Sequence, residues 1–76
     1  MSDRTNTIFG IYPIKEALAS NVVFDKVYIQ KGAENDKITS LMKDLETANV
    51  PVSIVPFEKL NRLTKGNHQG IVALTS

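Results

Sequence analysis

Five apolar residues, Ile38, Leu41, Met42, Leu45 and Ala48, recur at spacings of three and four. At 3.6 residues per turn they form one stripe, with Lys37, Lys43, Asp44 and Glu46 outside it. Met42 reads as core filler within that stripe. Asn35 or Asp36 stands where a side-chain oxygen can accept from the first free N–H groups, so a helix is expected to begin there. A shorter stripe, Ile14, Ala17 and Leu18, predicts a helix opened by Tyr12-Pro13 and closed by Ser20-Asn21. The run from Phe24 to Gln30 is β-branched and aromatic and predicts a strand. Thr7-Ile8-Phe9, ended by Gly10, predicts an earlier one. Asn49 and Pro51 end the helix of the long stripe, and Val50, Val52, Ile54 and Val55 predict a third strand, stopped by Pro56. Pro51 lacks a ladder donor and is expected at the start of that strand or at a sheet edge. Phe57, Leu60 and Leu63 predict a short helix with both leucines inward. Ile71-Val72-Ala73-Leu74 reads as a buried final strand.

Strands alternating with helices predict an α/β domain with a mainly parallel sheet. The last strand follows only a short helix. Parallel crossovers usually need more chain, so this strand can run antiparallel. No internal repeat, linker or low-complexity segment interrupts the pattern.

Seventy-six residues make one small domain. An apolar fraction of 42% and a charged fraction of 22% are those of a folded protein. There is no cysteine, which excludes disulfides and thiolate metal sites and fits a reducing, cytoplasmic setting. With one histidine and no cysteine a His/Cys metal site cannot be built, and no metal is expected. No apolar run approaches the length of a membrane span, and Met1 to Asn6 lacks a signal-peptide core. Those six residues are expected to be flexible. No phosphate-loop or dinucleotide-binding glycine pattern occurs, and the carboxylates scatter over predicted helix faces. No catalytic residue is expected in these 76 positions. The net charge of +1 hides an asymmetry. After Glu58 there is no acid, while Lys59, Arg62 and Lys65 add three positive charges. An anionic partner at that end and a merely solvated helix face both fit.

The positive end coincides with Thr64-Lys65-Gly66-Asn67-His68-Gln69-Gly70, a turn rich in glycine and side-chain amides that leads into the last strand. It combines fixed positive charge with groups that donate and accept hydrogen bonds. It can serve as a strand-entry turn or as a surface that touches a ligand.

Three segments resemble a known family. Phe9-Gly10-Ile11-Tyr12-Pro13-Ile14-Lys15-Glu16-Ala17-Leu18 is similar to the opening Gly-x-x-x-Val-x-Glu-Ala-Leu segment of the small N-terminal substrate-binding domain of SpoU/TrmH-type RNA ribose 2′-O-methyltransferases. Lys26-Val27-Tyr28-Ile29 and the charged loop after it resemble that domain's second strand. Asn67-His68-Gln69-Gly70-Ile71-Val72-Ala73 resembles its closing His-Gln-Gly-[Ile/Val]-x-Ala signature. The resemblance runs from Ile8 nearly to the end. It implies the fold of the kink-turn-binding ribosomal proteins, a three-layer α/β/α domain with a four-stranded mixed sheet. It also implies one RNA substrate-binding domain over residues 1–76, in a protein whose knotted catalytic domain lies beyond them. That C-terminal domain would bind S-adenosylmethionine, transfer the methyl group and form any homodimer. The RNA is expected to be large-subunit rRNA rather than tRNA, and no membrane partner is implied. A protein-interaction domain with little RNA affinity of its own is the alternative.

In the ribosomal-protein relatives, RNA is held by the loop entering the second helix and by the loop before the last strand. Carried over, this implies contacts from Lys31, Gly32 and Asn35 in the first loop, and from Arg62, Lys65, Asn67, His68 and Gln69 at the second. Lysines would steer phosphates, while amides and imidazole would reach base edges or ribose hydroxyls. Glu34 departs from this chemistry, because a carboxylate repels phosphate. Each residue also has a plainer use. Gly32 and Gly70 can serve backbone shape, Asn35 can cap a helix, and His68 and Gln69 can tie the turn down. Tyr12 can stack on a base or pack half-buried at its helix start.

Overall fold

A computed structural model of the chain describes residues 6–33, 35–64 and 68–75. In order these form β1 (Asn6–Phe9), α1 (Ile11–Ala19), β2 (Phe24–Gln30), α2 (Asp36–Thr47), β3 (Val52–Val55), α3 (Phe57–Leu63) and β4 (Ile71–Thr75). Asn6, expected in a flexible leader, instead opens β1 and pairs with Thr75, whose hydroxyl donates to the Asn6 carbonyl at 3.3 Å.

The sheet order is β1-β4-β2-β3. β4 is antiparallel to both β1 and β2, and β2 is parallel to β3. The sheet is therefore mixed, which corrects the mainly parallel reading of the alternation. The reason is the connection. A seven-residue α3 rises only about 10 Å, so the chain re-enters the sheet at the end where β3 left it. β4 starts beside the ends of β2 and β3: Gln30 N–H donates to the Gly70 carbonyl at 2.8 Å and Lys31 N–H to the Val55 carbonyl at 2.8 Å. β1, β2 and β3 all point towards this end, so α1, α2 and α3 all begin there. Pro51 precedes an edge strand, where its missing donor costs nothing.

The apolar stripes meet on one face of the sheet. Ile14 of α1 and Ile38, Leu41 and Leu45 of α2 pack on Val27 and Ile29 of β2 and on Ile71 and Ala73 of β4, all buried. Met42 is half-buried against this core. α3 covers the other face, packing on β2 and β4, with Leu60 fully buried and Leu63 half-buried. The result is three layers. Ala48, expected on the α2 stripe, is the exposed C-cap instead. The helix has already ended there: Asn49 adopts φ +62°, and Val50 N–H turns back to the Leu45 carbonyl at 2.9 Å. α1 ends the same way, with Asn21 at φ +62° and Val22 N–H on the Ala17 carbonyl at 3.0 Å. Asparagine tolerates the left-handed position better than other side chains of its size, so each helix stops where the sequence places one.

Candidate functional site

The two loops named by the sequence meet at the sheet end where α1 and α2 begin. Lys31 and Gly32 are exposed, and Gly32 at φ +85° has open space where a Cβ would lie. Ala33 N–H closes back on the Gln30 carbonyl at 3.1 Å. Gly70, also at φ +85°, lies against this loop so closely that an added Cβ would sit 2.8 Å from the Ala33 Cβ. Glycine is required there for both backbone angle and contact.

Asn35 caps α2. Its Oδ1 accepts from Ile38 N–H at 2.9 Å, satisfying one of the orphan donors at the helix start. The residue is exposed, so the capping oxygen marks the rim of the site. Caps of this kind contribute on the order of 1 kcal/mol.

Gln69 caps a helix far away in sequence. α1 begins after Gly10, which has no side-chain oxygen to offer, and Gln69 Oε1 accepts from Ile11 N–H at 2.9 Å. Gln69 holds φ +54° while doing so, and the close approach to Gly10 leaves 3.2 Å between Oε1 and a Cβ placed there. His68 points inward at 7% exposure. Its Nδ1 accepts from Gly70 N–H at 3.0 Å, which leaves the ring proton on Nε2, 3.2 Å from Asn61 Oδ1 of α3. The Phe57 ring packs on it with centroids 5.6 Å apart. Of the two uses open to His68 and Gln69, the geometry supplies the tie. It runs to α3 and α1. His68 anchors the turn from beneath, and Gln69 remains on the exposed side.

Arg62 is exposed on the last turn of α3, next to the Asn61 that holds His68. Glu34, Lys65, Gly66 and Asn67 lie outside the described residues. Among the described residues, no group of three or more His, Asp or Glu side chains could hold a metal ion. No described helix is long and apolar enough to cross a membrane.

Tyr12 is the residue the sequence placed least well. It is 60% exposed, where a half-buried packing role was the plainer reading. It stands on the first turn of α1, and Lys37 of α2 lies over it, with Nζ 5.7 Å from the ring centroid and donating to the hydroxyl at 3.5 Å. The signal that could have found the pair is positional: Tyr12 and Lys37 both lie in the first turns of neighbouring helices.

The family model for RNA 2′-O ribose methyltransferase substrate binding matches residues 7–76. The chain belongs to this family of substrate-binding domains. A TrmH family tRNA/rRNA methyltransferase of Staphylococcus haemolyticus is 33% identical over 67 residues, 88% of this chain and 27% of the relative. One from Staphylococcus epidermidis is 33% identical over 69 residues, 91% of this chain and 28% of the relative. One from Staphylococcus aureus is 31% identical over 67 residues, 88% of this chain and 27% of the relative. The chain thus spans about a quarter of the length of the curated relatives it matches. As a TrmH/SpoU substrate-binding domain, it has the four-stranded mixed sheet that the resemblance implied and the three helices that the apolar pattern predicted.

Proposed function

We propose that this domain recognises structured RNA, with large-subunit rRNA the preferred substrate, and presents it to a methyltransferase domain of the same protein. The methyl transfer, the S-adenosylmethionine site and any homodimer contact belong to that other domain, and no residue of this chain is assigned to them. The setting is the cytoplasm. The observation that carries the reading is the junction of the two loops, pressed together through Gly70 and Ala33 beside the starts of α1 and α2. Helix starts present free N–H groups and the positive end of the dipole to phosphate. Lys31 and Arg62 add exposed positive charge at the first loop and on α3, and the sequence carries a further lysine at position 65. Asn35, Asn67 and Gln69 bring amides to base edges and ribose hydroxyls. Gly32 gives the first loop its bend, and His68 holds the second in register.

Replacing Arg62 and Lys65 together by alanine tests this. RNA binding is expected to weaken, and the slope of log affinity against log salt is expected to fall by about 1–2. Unchanged affinity and slope in a salt titration would remove the proposed site. A second reading draws on the exposed Ile54 and Phe57, at 45% and 49% exposure, as a surface for docking the catalytic domain. Tight association with that domain added in trans, with no RNA affinity of this chain, would favour it.

A further inference from the structure

We propose that Tyr12 is a stacking platform for one unpaired base of the bound RNA. This inference rests on the RNA-binding reading above and adds to it the kind of nucleotide the site takes. Tyr12 sits in the wall of a cleft of about 240 Å³ between the first turns of α1 and α2, lined also by Ile11, Lys15, Asp36, Lys37 and Ser40. That is smaller than the pockets that enclose drug-sized ligands, which start near roughly 300 Å³. It suits a single planar fragment entering from an adjoining strand.

The ring is available. At 60% exposure it presents most of its surface to solvent, although a buried aromatic at this position would contribute more to stability. Lys37 holds it in place, with the ammonium 5.7 Å from the centroid and 3.5 Å from the hydroxyl. Ile11, the residue just before it at the helix start, has its N–H held by Gln69 Oε1 at 2.9 Å. The backbone that carries the platform is thus tied to the RNA-facing turn through the α1 cap. Lys15 on the rim suits a phosphate beside a splayed nucleotide. Asp36, in the same cleft, repels phosphate and accepts from an exocyclic amino group. The cleft therefore takes the base and leaves its phosphates at the rim. Adenine, cytosine and guanine carry such an amino group and uracil does not.

The test compares this chain with its Tyr12→Ala and Tyr12→Phe variants. Each is titrated with an RNA hairpin carrying an unpaired adenine-rich loop, and with a fully paired duplex of equal length, at one low salt concentration. Loss of a base stack is worth about 10-fold in affinity. Tyr12→Ala is expected to lose about that factor on the hairpin and to keep its affinity for the duplex. Tyr12→Phe is expected to keep both. A uridine-only loop is expected to bind more weakly than the adenine-rich one. Equal losses on hairpin and duplex, or no loss on either, would overturn the stacking role while leaving RNA recognition standing. No binding of either RNA by the unaltered chain would overturn both.

Discussion

Replacing Gly70 by alanine is expected to destabilise the chain by about 2–5 kcal/mol, from two separate costs. At φ +85° an alanine pays roughly 1–2 kcal/mol for the left-handed backbone. Its Cβ would also sit 2.8 Å from the Ala33 Cβ, an atom fixed to the opposite loop, and relieving such an overlap costs typically about 1–3 kcal/mol. A domain of 76 residues has on the order of 4–11 kcal/mol to lose. The midpoint of thermal unfolding should therefore fall by roughly 10–25 °C. Gly32→Ala is the matched control, because Gly32 has the same φ of +85° and nothing within 4 Å of the added carbon. It should show only the backbone cost. Calorimetry that finds equal losses for the two variants would mean that the loops do not press on each other, and the junction that defines the site would be gone.

His68→Ala is expected to cost about 2–4 kcal/mol, although the residue lies in a loop. The buried Gly70 N–H loses its acceptor at Nδ1, and an unsatisfied buried donor costs roughly 1–3 kcal/mol. The bond to Asn61 and the ring contact with Phe57 go with it, the latter worth about 0.5–1.5 kcal/mol. Urea unfolding of His68→Ala and of Asn61→Ala should show the larger loss for the histidine, which makes both bonds. A loss below about 0.5 kcal/mol, the size expected of an exposed loop residue, would mean that His68 is not the anchor of the turn.

The strand from Phe24 to Gln30 was legible from its β-branched and aromatic run, and the stripe through Ile38, Leu41 and Leu45 because it keeps one helical period. Asn35 was legible as a cap because the group it satisfies is three residues away. The bond from Ile11 N–H to Gln69 was not, since 58 residues separate its partners and no local pattern links them. Its only trace is Gly10, a helix start without a side-chain oxygen. Nor was the position of β4 written in its own apolar run, which describes burial and not direction. The length of the connection before it carried that information. Tyr12 escaped because it stands on the first turn of α1, where the strand and helix periods give no inward face. Its exposure became visible only with α2 beside it.

The claim that the two-loop end of the sheet recognises RNA is tested most directly by NMR. The isotope-labelled chain is titrated with short structured fragments of rRNA and of tRNA at low and moderate salt. Shifts confined to Lys31–Asn35, to residues 65–70 and to the first turn of α1, diminishing as salt rises, are the expected result, with rRNA the stronger ligand. A well-dispersed spectrum that moves with neither RNA would contradict it, and would favour the docking reading instead.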